Sequence, residues 1–221
     1  LDWAFGTMGT QDKAKHLATL YLEDISDFIV ECVDSNFGFS RYAERLGRSA
    51  NSFDELYQAL QQEPTYIDTV LLSILVAKIE TVQPTAFLIS VPFPGNLYAA
   101  FRSAQWIKEN HPEIKILIGG GFANTELRSL SDPRVFEFFD FISLDDGELP
   151  IELIIENIES GLNTEFKRTF LLENGQVVYK NNSSRPDYKQ SQVGTPDYSD
   201  LHLDKYISVI EIVNPMHRMW S

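Results

Sequence analysis

The sequence predicts an α/β fold: an open, mainly parallel sheet, preceded by a helical N-terminal region and followed by a β-hairpin. Three observations carry this. Short apolar runs, "AFLISV" (86–91), "IKILIGG" (114–120) and "FDFISLDD" (139–146), alternate with helix-forming segments. Such alternation implies parallel strands joined by crossover helices. The runs are continuously apolar, as strands covered on both faces are. Finally, Asn174-Gly175 stands between "FKRTFLLE" and "QVVYKN", and Asn-Gly is the strongest short hairpin signal. A sheet covered on both faces has three layers, and this succession of strands and helices is that of Rossmann/flavodoxin-like folds.

The elements follow in order. Leu17, Leu20, Tyr21, Ile25, Phe28, Ile29, Cys32 and Val33 draw one helical stripe over residues 12–33. Ser52 and Glu55 of "SFDE" form a capping box that opens a short helix to about Gln61. Pro64 and Thr65 open a long helix with apolar positions at Ile67, Val70, Leu71, Ile74, Leu75, Ile79 and Val82. Asn96 is placed to cap a helix from Leu97 to about Asn110. A short helix is expected after Asn124, and Pro150 suits the first turn of a helix that carries Ile151, Ile154, Ile155 and Ile158 on one face. Residues 182–200 are rich in Ser, Asn, Gln, Pro and Asp and read as a linker, with a further strand expected at 205–213. The chain thus divides into a helical region (1–83), an α/β domain (84–162), a hairpin (163–181) and a linker (182–221).

Composition narrows the function. The 221 residues carry a net charge of −14, which repels phosphate backbones and disfavours nucleic acid as a partner. No apolar run reaches the roughly 18 residues that a membrane span needs, and no signal peptide is visible, so a cytoplasmic location is expected. Cys32 is the only cysteine. It rules out a disulfide framework and a thiolate metal cluster within this chain, and its place on an apolar stripe predicts a buried thiol. The chain starts at Leu1 without methionine and stops at "NPMHRMWS", which reads as a piece of a longer protein.

In an open parallel sheet, ligands bind beyond the carboxyl ends of the strands. Three loops qualify: "SVPFPGN" (90–96), "GGGFAN" (119–124) and "DDGELP" (145–150). Neighbouring strands would bring Ser90, Pro92, Gly119, Gly120, Gly121, Asp145, Asp146, Gly147 and Glu148 around one cleft that takes a cofactor or a small-molecule substrate. The glycines suggest close approach of a ligand, or of another backbone, to the main chain. They do not spell a dinucleotide fingerprint. Asn124 stands where the third glycine should be, and no acidic residue ends a following strand about 20 residues on, since Asp140 begins one. The carboxylates of "DDGE" could take Mg²⁺, though acids at a helix start are commonly there for its dipole. His16, His111, His202 and His217 are scattered without metal-ligand spacing, and no catalytic triad can be assembled.

Taken in order, "LIS" after "QPT", "IKENHPEIKILIGGG" and "FDFISLDDGELPIELIIENIESG" resemble the cobalamin-binding-type domain that precedes the radical SAM domain in many bacterial enzymes. The family's Gly-Gly pair is matched by Gly119 and Gly120, and its G-E-G-E loosely by "DDGE". "ENGQVV" and "TPDYSDLHLDKY" match the hairpin and linker that follow. The resemblance covers about residues 84–221. It implies an accessory domain that binds cobalamin or substrate and is not itself catalytic. The 4Fe–4S cluster and S-adenosylmethionine would belong to a radical SAM domain downstream, its direct partner. Two departures stand out. The D-x-H-x-x-G motif of base-off cobalamin binders is absent: Asp200 and His202 have its spacing, but Lys205 replaces the glycine and the segment lies in the linker. The family's first strand is not visible in residues 1–83. Two other readings remain open: a ligand-binding or regulatory module without cobalamin, and a nucleotide-dependent transferase.

Overall fold

The computed structural model describes residues 9–39, 42–48, 53–161, 165–199 and 201. They fall into two compact units, Leu1–Ser35 with Gly194–Ser221, and Asn36–Val193. The expected boundary between 83 and 84 lies inside the second unit. No described helix is long and apolar enough to cross a membrane.

The first unit contains helix α1 (Thr10–Cys32), close to the predicted span. While Ile25 and Ile29 are half-buried, much of its apolar stripe is exposed, Leu17, Tyr21 and Phe28 among it. Cys32 is exposed with them, which corrects the expected buried thiol. Periodicity predicts a stripe; only a covering partner would bury it.

The second unit begins with α2 (Glu44–Arg48), which has no counterpart in the sequence reading, and α3 (Asp54–Leu60). Phe53 holds the cap position of α3 without a side-chain bond, and Ser52 of the expected capping box lies outside the described residues. In α4 (Tyr66–Val82) the box is formed by Thr65 and Asp68, each side chain taking the other's backbone N–H at 3.1 Å. The strands β1 (Ala86–Ser90), β2 (Lys115–Gly119) and β3 (Phe141–Ser143) alternate with α5 (Leu97–Asn110) and α6 (Gly121–Glu126). Helix α7 (Glu148–Ser160) leads to the hairpin β4 (Thr169–Glu173) and β5 (Gln176–Lys180), and α8 (Gln190–Val193) closes the unit. Two local expectations fail. Asn96 makes no side-chain cap bond to α5, because Pro94–Asn96 already form a 3-10 turn there. The helix expected after Asn124 starts earlier, at Gly121.

The sheet is mixed and open, in the order β1-β2-β3-β4-β5. The first three strands are parallel, and β4 and β5 are antiparallel. Asn174 and Gly175 join the hairpin with φ of 52° and 76°, the two positive angles that a tight hairpin turn needs. Alternate residues divide the core. Ile116, Ile118, Ile142 and Phe170 join Ala104 and Ile107 of α5 in one cluster. Leu117, Phe141 and Leu171 join Ile154 of α7 in the other. Central strands β2 and β3 are buried nearly throughout, whereas Leu88 of the edge strand β1 is 44% exposed. Asp140 works at the amino ends of the strands: it accepts from Ile116 N–H at 2.8 Å and Lys108 Nζ at 2.6 Å. That is the edge opposite the candidate loops.

One buried polar network fastens the N-terminal helices to α5. Asp68 Oδ2 accepts from Tyr98 at 2.8 Å and pairs with Arg102 Nε at 3.1 Å. The Arg102 guanidinium reaches on to the carbonyls of Leu60, at 2.9 Å, and Ala59, at 3.2 Å. It thereby satisfies the Leu60 carbonyl at the end of α3 and adds to the bonds of Ala59. Burial pushes the Tyr98 phenol up to about 12.

Candidate functional site

The parallel order β1-β2-β3 places the three predicted loops side by side, and two of them pack directly. Val91 N–H donates to the Gly119 carbonyl at 2.8 Å, and Phe122 N–H to the Val91 carbonyl at 2.9 Å. Gly120 has φ of 96°, and a Cβ there would stand 2.9 Å from Ser90 Oγ and from both Val91 N and Val91 O. A Cβ on Gly121 would stand 2.9 Å from the Pro92 carbonyl. These two glycines therefore admit a neighbouring stretch of the same chain. Gly119 differs, since its Cβ would meet the Ser143 carbonyl at an ordinary 3.5 Å.

Asn124, the residue in place of a third fingerprint glycine, holds the third loop: its Oδ1 accepts from Asp145 N–H at 2.6 Å. Asp145 sits at φ 60°. Its carboxylate is engaged by the Arg128 guanidinium, with Arg168 Nε at 4.0 Å on its other side. Gly147 precedes α7, and Glu148 is exposed in the first turn, where the helix dipole favours an acid. Among the described residues, no three His, Cys, Asp or Glu side chains come together as a metal site.

Sequence reasoning missed Arg168. It has φ of 43° and lies where the antiparallel β4 begins, beside the carboxyl edge of β3. Its Nη2 donates to the Asp146 carbonyl at 3.0 Å and its Nε to the Leu144 carbonyl at 3.4 Å. Nη1 and Nη2 then grip Asp187 at 2.9 and 2.7 Å. The Asp187 bond raises the Arg168 pKa, and Arg168 lowers that of Asp187. The segment read as a linker is thus attached over residues 185–188. Arg185 pairs with Glu152 and, at 2.8 Å, with Glu156, and Tyr188 donates to Glu152. An Arg at positive φ was the one available signal, and it shows only in three dimensions.

A cavity of about 450 Å³ opens near the first two loops. Its walls include Leu97, which follows the first loop, and Phe122, which follows the Gly119–Gly120 pair, together with Phe53 and Phe101. Glu126 and Arg134 supply charge. Arg134 is held by Asp132 at 2.6 Å and Asp54 at 2.7 Å, and lies 5.5 Å from the Phe53 ring centre. The volume is that of a small-molecule site. Gly47 seats α2 beside it, for a Cβ at Gly47 would stand 2.5 Å from the Pro94 carbonyl oxygen. Gly47→Ala is expected to cost about 1–3 kcal/mol through this overpacking, read as a lower urea midpoint.

Gly120 and Gly121 do not serve to admit a cobalamin to the backbone. Ser90, Val91 and Pro92 fill the space over Gly120 and Gly121, and none of the loops carries a histidine to ligate cobalt. Asp200, His202 and Lys205 lie outside the described residues, as does the strand expected at 205–213. The chain matches no protein-family model, no curated protein and no solved structure.

Proposed function

We propose that this chain is a non-catalytic ligand-binding module that takes a small molecule near the carboxyl edge of its sheet without cobalamin. The observation that carries this is the cavity of about 450 Å³ that Phe122 of the second loop and Leu97 after the first help to line, although none of the predicted site residues does. Its walls combine aromatic and aliphatic side chains with Asp54, Glu126, Asp132 and Arg134, so it suits a compact ligand that has both an apolar and a polar part. Asp145 is engaged by Arg128 and so is not poised as a general acid or base, which favours binding over catalysis. We further read the architecture as a Rossmann/flavodoxin-like three-layer domain, because one core cluster contains α5 and the other α7.

A downstream radical SAM domain, holding the 4Fe–4S cluster and S-adenosylmethionine, is the partner that the motif order suggests. Anaerobically purified parent protein should then show iron–sulfur absorbance.

The module reading is tested by titrating the ¹⁵N-labelled chain with indole and, separately, with hydroxocobalamin. Indole should shift the amides of Gly47, Phe122, Leu127 and Leu130, and Leu130→Trp should abolish those shifts by filling the cavity. Hydroxocobalamin should leave the Gly119 and Gly120 amides in place. Unmoved cavity amides with indole, or shifted glycine amides with cobalamin, would refute this reading.

A further inference from the structure

Arg168 is built as a receptor, and its occupant comes from the chain itself. Its side chain is 14% exposed, and the carbonyls of Leu144 and Asp146 hold the guanidinium from the sheet side. Its backbone stands at φ 43°, a conformation that L side chains avoid and that clusters at functional sites. Two donors remain aimed outward in the parallel geometry that matches an oxyanion. Lys167 Nζ adds positive charge 3.9 Å from the Asp187 carboxylate that fills this fork.

The strap that carries Asp187 is held differently. Every residue from 186 to 193 is exposed. Its attachments are polar: Arg168 to Asp187, Arg185 to Glu152 and Glu156, Tyr188 to Glu152, and Lys167 Nζ to the Arg185 carbonyl at 2.8 Å. The Arg185 pairs with Glu152 and Glu156 are partly exposed on both sides and contribute little to stability, Asp187 itself is 42% exposed, and segments that bury few apolar groups open locally at low cost. A fixed, mostly buried cation is thus closed by an exchangeable carboxylate.

We propose that Arg168 is an oxyanion-binding site of this domain, plugged by Asp187, and that an anionic small molecule displaces the strap to reach it. The shared chemistry is one oxyanion group that accepts both guanidinium N–H bonds, whether phosphate or carboxylate. The site rests on Arg168 and Asp187 alone, so it stands or falls apart from the cavity.

The test is isothermal titration of the full chain with inorganic phosphate and, separately, with succinate. Asp187→Asn removes the competing charge and should tighten binding of one probe by about tenfold, the factor expected if the plug leaves the receptor open about a tenth of the time. Tightening for phosphate alone assigns a phosphorylated ligand, and for succinate alone a carboxylate. Arg168→Gln should abolish that binding with the circular dichroism spectrum unchanged. In the unmodified chain the same probe should speed tryptic cleavage after Lys189. Two results overturn the proposal: Asp187→Asn that binds neither probe more tightly than the unmodified chain, or a folded Arg168→Gln that binds as well. Asp187 is exposed, so its variant folds even where the arginine variant does not, and it decides the matter alone.

Discussion

Gly120→Ala should lower the unfolding free energy by about 2–4 kcal/mol, combining the cost of an L residue in left-handed backbone with overpacking. Two causes act together. Gly120 sits at φ 96°, and the added methyl would stand 2.9 Å from Val91 N and Val91 O. Those are main-chain atoms, already fixed by the Val91–Gly119 and Phe122–Val91 hydrogen bonds, so they cannot rotate away as a side chain would. Urea unfolding followed by circular dichroism measures the loss. Gly119→Ala is the control, since its Cβ would make only an ordinary contact at 3.5 Å. Equal losses at both positions would mean that Gly120 does not touch the first loop.

Asp68→Ala should cost about 3–5 kcal/mol, the range for removing one partner of a buried ion pair. Arg102 and Asp68 are 4% and 1% exposed at the side chain, so the guanidinium would keep its charge in a site with no counter-ion. Asp68 Oδ2 is also where Tyr98 and Thr65 N–H meet, so three donors lose one acceptor. Replacing both partners, as Asp68→Leu with Arg102→Met, should recover part of the loss, because well-packed apolar groups can replace a buried pair. Asp68 Oδ1 has no hydrogen-bond partner, which is further reason for the apolar pair to be tolerated. Thermal or urea unfolding of the two variants decides it. A single variant as stable as the double one would show that the pair is not closed in solution.

Much of the fold was legible. Three apolar runs became β1, β2 and β3, and Asn174-Gly175 became the hairpin turn. Thr65 opened α4, as expected, although the capping box that it forms with Asp68 showed only in the structure. Each depends on residues within a turn or a strand of one another, which is the range over which propensity, periodicity and capping act. The candidate site was legible only in outline. The loops met where parallel topology puts them, but Gly120 and Gly121 accommodate Ser90, Val91 and Pro92. A glycine states that something comes close without stating what. Cys32 shows the same limit, since a helical stripe on α1 does not supply its own cover.

The sequence by itself determined the alternation of β1 to β3 with helices, the hairpin, and the edge of the sheet at which to look. Tertiary structure alone decided that Asn124 would hold Asp145, that Gly47 would seat α2 against Pro94, and that Arg168 would grip Asp187 across 19 residues of separation. The physical reason is range. Backbone conformation follows from neighbours in the chain, whereas the partner of a charge or a bare backbone is chosen by how the whole core packs.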